Sequence, residues 1–235
     1  PTKSSAASDV YKRQEKISKI TKIRKLEPTF KIGKKIRKFV LEGGAIDVNG
    51  MGSILLTKEC LLSKIQQRNF GIKKKDYENM LSKFLNVNNF IWLNKGIKGD
   101  DTHGHIDDIC RFVSPDTIMT AIENNKKDVN YKILQTNLNI LKKAKNINGK
   151  NFNLIKIPMP KAIFINKIRV PASYLNFLIC NKSVLLPLFN DKNDKVVIKI
   201  FKKFFKTRKV IGIDCTNLIW GFGAIHCMTQ SEPSV

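Results

Sequence analysis

Two of the chain's three histidines and four of its carboxylates fall within ten residues, Gly99-Asp100-Asp101-Thr102-His103-Gly104-His105-Ile106-Asp107-Asp108. Lys and Arg outnumber Asp and Glu by 43 to 19 in the whole chain, so this acidic cluster is out of keeping with its surroundings. The third histidine, His226, precedes Cys227 in Gly223-Ala224-Ile225-His226-Cys227-Met228-Thr229-Gln230. A thiolate is the nucleophilic form of cysteine, and a nearby imidazolium or bound cation favours it. Carboxylates suit a cationic substrate, and a guanidinium binds them through paired hydrogen bonds. The residue types therefore suggest that the fold brings Cys227 against His105, with Glu42 and Asp107 around them. Taken singly, Cys227 reads equally well as packing and the acidic cluster as a solvated loop. The glycines that lead into both segments favour a shared site.

A metal site is the competing chemistry. Thr102-His103-Gly104-His105-Ile106-Asp107-Asp108 resembles the Thr-His-x-His-x-Asp-His stretch of the metallo-β-lactamase fold, but Asp108 stands at the last His position. Only His226 remains to serve as a distant ligand, too few for a two-metal site. Neither a metal nor another cofactor is expected.

The bulk properties narrow the class. The chain has 235 residues, enough for one domain that buries roughly 70% of its unfolded surface. Hydrophobic residues make up 42%, which excludes a disordered chain. No apolar run approaches the ~20 residues of a membrane span, so no membrane partner is expected. A net charge of +24 raises nucleic acid as a partner. The lysines are spread along the whole chain, and no zinc-finger spacing, aromatic RNA-binding signature or phosphate loop accompanies them. A basic nucleic-acid-binding protein is the alternative of another class, with only weak nonspecific polyanion binding expected. Cys60, Cys110, Cys180, Cys215 and Cys227 are irregularly spaced, without a Cys-x-x-Cys. That argues for a reducing, cytoplasmic setting and against a disulfide framework. All but Cys227 read as small core residues.

The elements that must carry the site come in a repeated order. Residues 1–14 are set aside, because Ser4 to Gln14 reads as the in-frame translation of a sequencing-library adapter. Residues 15–38 read as the remnant of a preceding module, with a helix near Lys16 that ends before Pro28. Residues 39–235 form one domain. Asn49-Gly50 signals a hairpin that returns through Gly52 to Thr57. Helices are expected from Lys58 to Gln67 and from Lys75 to Leu85, the latter with Tyr77, Met80, Leu81, Phe84 and Leu85 on one face. Phe90 to Leu93 closes the first round. The second runs through strands Ile109–Val113 and Thr117–Ala121, helix Tyr131–Ala144 and strand Asn153–Ile157. The third runs through strands Ser173–Cys180 and Val184–Leu188, a helix capped by Asp194, and strand Lys209–Asp214. Asn217 to Gln230 opens another round, and Gly44-Ala45-Ile46-Asp47 matches Gly223-Ala224-Ile225-His226. Such repeats suggest a radial, propeller-like α/β fold in which the module openings share one centre.

Leu41-Glu42-Gly43-Gly44, Thr57-Lys58-Glu59-Cys60-Leu61-Leu62, Gly99 to Asp107, Ala172-Ser173-Tyr174-Leu175-Asn176-Phe177 and Gly223 to Gln230 resemble the agmatine deiminase family and its Porphyromonas-type peptidyl-arginine deiminase relatives. The resemblance runs from about Phe39 to the C-terminus. It implies the pentein fold, a five-bladed α/β propeller, here incomplete: about three ββαβ modules plus the C-terminal catalytic segment. It implies Cys227 as nucleophile, His105 as general acid/base, Glu42 as the glutamate that orients and charges the histidine, and Asp107 as the carboxylate for the substrate. His103 receives no proton-transfer role, and Trp220, Asn176 and Asp101 read as support or packing. The implied reaction hydrolyses agmatine to N-carbamoylputrescine and ammonia, in putrescine biosynthesis. Peptidyl-arginine and free arginine are alternative substrates, and a homo-oligomer stays open. The family's second substrate carboxylate belongs to a Trp-x-Arg-Asp segment that this sequence lacks. The chain is therefore expected to be an N-terminally truncated enzyme, inactive or nearly so alone.

Overall fold

The computed structural model describes residues 14–231. The adapter reading of residues 4–14 thus lies outside the described residues, except for Gln14. Residues 14–21 are helical. A hairpin follows, β1 (Thr29–Ile32) paired antiparallel with β2 (Lys35–Lys38) across a turn at Gly33, whose φ is +57°. The charged run Lys31 to Arg37 gave no strand signal in the sequence. Phe30 anchors the hairpin against Phe39, with ring centroids 6.1 Å apart.

Three modules then repeat one plan. In the first, β3 (Ile46–Val48) pairs antiparallel with β4 (Ser53–Thr57). Two helices follow, α1 (Lys58–Leu62) and α2 (Lys74–Leu85), and β5 (Asn89–Leu93) returns parallel to β4. A parallel neighbour needs a crossover, which the helices supply. The second module is β6 (Cys110–Ser114), β7 (Thr117–Ile122), α3 (Asn130–Lys143) and β8 (Asn153–Pro158). A small hairpin, β9 (Phe164–Ile165) and β10 (Ile168–Arg169), leads to the third. That module is β11 (Leu178–Ile179), β12 (Ser183–Leu188), α4 (Lys192–Phe204) and β13 (Lys209–Asp214).

Strand β4 shows how the layers form. All five of its residues are buried. Successive side chains point to opposite faces of a strand. Ile54 and Leu56 accordingly join Cys60, Tyr77 and Leu81 in one core, while Leu55 joins Ile91 and Leu93 in the larger core shared with the second and third modules. One face of the sheet thus packs on its own helices and the other on the neighbouring modules.

Several boundaries differ from the sequence reading. The Asn49-Gly50 turn is longer than two residues, because Asn49 Oδ1 accepts the amides of Met51 and Ser53, both at 2.9 Å. Helix α1 stops at Leu62. On α2 only Tyr77 and Leu81 are buried, and Phe84 and Leu85 are exposed. Asp191, not Asp194, is the N-cap of α4, and Asp194 completes the capping box from the third position. Residues 173–177 are a buried loop rather than a strand, so β11 shrinks to two residues. Among the described residues, no helix is long and apolar enough to cross a membrane.

Three of the four module openings are alike, while the third module opens on the loop at residues 173–177. Short 3-10 turns occupy Gly43–Ala45, Ile106–Asp108 and His226–Met228. Side chains latch each opening to the next. Asp47 accepts the Arg111 guanidinium and, at 3.0 Å, the Phe112 amide. Arg111 also donates to the Phe177 carbonyl at 3.0 Å, and Ser173 Oγ donates to the Asp108 carbonyl at 2.8 Å.

Candidate active site

The loop that carries His105 is pinned along its length. Asn137 on α3 accepts the Asn94 amide at 3.0 Å and donates to the Lys95 carbonyl at 2.8 Å. Asn130 accepts the Lys98 amide at 2.7 Å. Asp100 then folds the loop around its own carboxylate, accepting the amides of Thr102 (2.8 Å), Gly104 (2.7 Å) and His105 (3.0 Å). His103 makes the turn with φ +61°. This explains the first acidic residue of the cluster, which builds the loop.

His105 meets Glu42 at 2.7 Å, from Nε2 to Oε2. Glu42 is held in turn by Arg68, whose Nε donates to Oε1 at 3.2 Å and whose Nη2 lies 3.0 Å from Oε2. Arg68 also donates to the Thr102 carbonyl at 3.0 Å, tying the carboxylate to the His105 loop. Burial works against the imidazolium, but the neighbouring Cys60 sulfur, the hydrogen bond to Glu42 and the charge of Asp107 outweigh it, so the His105 pKa stands well above the usual 6.5. Burial opposes the Glu42 carboxylate as well, yet His105 and Arg68 keep its pKa below the ordinary value. At neutral pH the pair is imidazolium and carboxylate.

A raised histidine pKa has a defined sign for stability. The contribution is full below pH 6.5 and is lost as pH rises through the higher folded value. Each pH unit of that window is worth about 1.4 kcal/mol. The melting temperature should therefore fall on the alkaline side. Glu42→Gln should flatten that fall, which thermal melts of both proteins across pH would check.

Asp107 and Cys227 form the other half. Asp107 is fully buried, and its Oδ2 accepts His226 Nδ1 at 2.7 Å and lies 3.6 Å from Cys227 Sγ. Its Oδ1 is buried without a hydrogen-bond partner. Burial pushes against the charge, but His226 and His105, with Arg111 beyond, hold the Asp107 pKa below the usual carboxylate value. Its neighbour Asp108 goes the opposite way, raised by burial and by the charges of Asp107 and Asp100. Two adjacent buried carboxylates do not both ionise cheaply, and the one with cationic partners keeps the charge. Cys227 is exposed as a residue while its sulfur faces these carboxylates; desolvation on that side, then Asp107 and Asp108, push the thiol up. These surroundings hold Cys227 as a thiol.

Asn176 sets the position of Cys227. Its Oδ1 accepts the amides of Ala224 and Cys227, both at 3.2 Å, and its Nδ2 donates to Cys227 Sγ and Asp108 Oδ1, both at 3.0 Å. The His226 amide donates to the Asn176 carbonyl at 3.0 Å. The fold therefore brings all four expected residues to one place, with one change in wiring. Cys227 bonds Asn176 and Asp107 rather than His105. Gly44 lets the halves meet, since a Cβ there would lie 2.5 Å from His105 Nδ1 and 2.8 Å from Asp107 Oδ2.

Sequence reasoning undervalued four residues. Asn176, read as support or packing, holds Cys227 in place, and its position in Ala172 to Phe177, at a module opening, was the available signal. Arg68 pairs with Glu42 and His226 hydrogen-bonds Asp107 across segments far apart, and no local spacing announces these contacts. Cys60 reads as core yet stands at His105. Trp220, expected as packing, is 61% exposed.

The profile of the Porphyromonas-type peptidyl-arginine deiminase family matches residues 3–233. A Legionella pneumophila protein provisionally named agmatine deiminase is 37% identical over 195 residues, covering 83% of this chain and 56% of its own length. The agmatine deiminase of Enterococcus faecalis superposes with a TM-score of 0.81 at 30% identity, covering 93% of this chain and 62% of that one. A substrate-bound cysteine-to-serine variant of the C. jejuni agmatine deiminase gives a TM-score of 0.75 at 35% identity, covering 82% and 56%. The chain thus spans little more than half the length of the curated relatives it matches. Its fold is α/β of the pentein type, seen as three ββαβ modules and the opening of another. By profile, sequence and structure, the chain belongs to the Porphyromonas-type peptidyl-arginine deiminase family.

Proposed function

We propose that this chain is the C-terminal part of a guanidino-group deiminase that hydrolyses agmatine to N-carbamoylputrescine and ammonia. The observation that carries the reading is Asp107: a buried, ionised carboxylate with one bare oxygen, 3.6 Å from the thiol of Cys227. A buried carboxylate with His226 on one oxygen and no partner on the other among the described residues is a candidate cation subsite, and a guanidinium N–H can supply the missing donor. The agmatine deiminase names of the relatives support the same substrate.

The chemistry follows from the charges. A bound guanidinium offsets Asp107 and lowers the cost of ionising Cys227, whose proton leaves to water. The thiolate attacks the guanidinium carbon. His105, already an imidazolium, gives its proton to the departing nitrogen as the C–N bond breaks, and ammonia leaves. An amidino-thioether remains. Neutral His105 then takes a proton from water and the hydroxide adds to the same carbon; as the C–S bond breaks, the hydroxyl proton passes to the leaving sulfur, which releases N-carbamoylputrescine and restores the Cys227 thiol. Glu42, braced by Arg68, keeps His105 oriented and charged between turnovers.

Agmatine is favoured over arginine because it has no carboxylate to match. Arg68 and Arg111 are already committed to Glu42 and Asp47. The product is a carbamoylated diamine, which fits a role of the whole enzyme in putrescine synthesis, and the irregular cysteine spacing fits a cytoplasmic setting. Residues 15–38 are the end of a preceding module, and residues 39–235 are part of one domain. The missing second carboxylate leaves the guanidinium one anchor short, so this chain alone is inactive or nearly so.

The test is an assay for ammonia and N-carbamoylputrescine with agmatine, and for the matching ureido products with arginine and peptidyl-arginine. The 235-residue chain alone should give almost none. Joining it to the N-terminal modules of a relative should restore turnover that Cys227→Ser abolishes. Turnover that survives Cys227→Ser would overturn the reading.

A further inference from the structure

Cys60 is fully buried in the first turn of α1, where Thr57 Oγ1 accepts its amide at 3.2 Å. Its sulfur, a ring nitrogen of His105 and a carboxylate oxygen of Glu42 all lie within 4.8 Å of one another. The proposed reaction uses His105 and Glu42 but gives Cys60 nothing to do. We propose that Glu42, Cys60 and His105 form a site for a zinc-type divalent cation, and that its occupancy inhibits the enzyme by engaging the His105 imidazole.

The donor set fits that class of ion. Zinc takes sulfur at about 2.3 Å and nitrogen or oxygen at about 2.0–2.2 Å, with three protein ligands and one open position where the site is not closed. Around a tetrahedral ion those lengths put ligand atoms roughly 3.3–3.8 Å apart. Glu42 and His105, at 2.7 Å, must open slightly to reach that range, and the Cys60 sulfur lies no more than 4.8 Å from either. Thiolate, imidazole and carboxylate together select zinc-like ions over magnesium or calcium, which prefer oxygen alone. Arg68 already donates to both oxygens of Glu42, the kind of outer support that orients a ligating carboxylate. Asp107, which keeps its charge, adds negative potential in an otherwise basic chain. Glu42 is the partly open side, with its side chain 18% exposed, and gives the ion its entry.

Binding stands apart from the deiminase reading; the inhibition rests on it. The test is a titration of the chelator-treated 235-residue chain with Co2+, read by thiolate-to-cobalt absorption, followed by competition with Zn2+. One equivalent should give the band in the wild type and in Cys227→Ser. Cys60→Ser should lose it and bind Zn2+ at least tenfold more weakly, as should Glu42→Gln, which leaves the core untouched. Circular dichroism melts confirm that each variant is folded. A band retained by Cys60→Ser and lost in Cys227→Ser would place the metal at Cys227, His226 and Asp107 and overturn the proposal, as would no band in the wild type. Neither result bears on guanidine turnover, so the two readings fail separately.

Discussion

Asp107→Asn is expected to change the reactivity of Cys227 in opposite directions toward two reagents. A halo-amidine, which carries a guanidinium-like cation, should alkylate the variant about 30- to 4000-fold more slowly. Removing one partner of a buried, hydrogen-bonded charge pair costs about 2–5 kcal/mol, and 1.4 kcal/mol is a factor of about ten. Iodoacetamide, a neutral reagent, should react faster with the variant than with the wild type. The Asp107 charge is one of the causes that push the Cys227 thiol up, and its loss raises the thiolate fraction. A disrupted site would also free the thiol toward iodoacetamide, so thermal melts that match the wild type, taken with the two rates, separate the substrate role of Asp107 from a packing role.

Gly44→Ala should be nearly as severe, although it touches no reacting atom. The added methyl would sit 2.5 Å from His105 Nδ1 and 2.8 Å from Asp107 Oδ2, so one or both groups must move. Overpacking of this kind costs about 1–3 kcal/mol of stability. The larger effect is on chemistry, because a shift of about 1 Å in a catalytic group costs on the order of a hundredfold. Gly43→Ala is the internal control, since a Cβ there meets nothing within 4 Å. Halo-amidine labelling rates and thermal melts of the two variants should diverge by that hundredfold in rate. Equal behaviour would mean that the approach of Gly44 to the site is unimportant.

The order of the modules was readable because each strand and helix carries its own period. Strand β7 and helix α3 have local apolar patterns strong enough to place them within a residue or two of the expected bounds. What escaped depends on contacts between distant segments. Residues 173–177 have the apolar run of a strand, but Ser173 and Asn176 spend their polar groups on Asp108, Ala224 and Cys227 and hold the segment as a loop. The β1–β2 hairpin is too charged to signal a strand and depends on Phe30 and Phe39. Glu42, His105, Asp107 and Cys227 were found through segments that resemble a family. Arg68 and Cys60 reach the site only once β4, α1 and the loop after it are folded, so no spacing along the chain marks them.

The measurement that tests the central claim most directly is a mass spectrum of the five cysteines after halo-amidine treatment, with and without agmatine. It is best made on the chain joined to the N-terminal modules of a relative, with the 235-residue chain alongside. The account predicts selective labelling of Cys227 that agmatine blocks and that Asp107→Asn removes, even though Cys180 is also partly open to solvent. Labelling spread over the accessible cysteines, indifferent to agmatine, would mean that Asp107 holds no guanidinium and that Cys227 is an ordinary thiol.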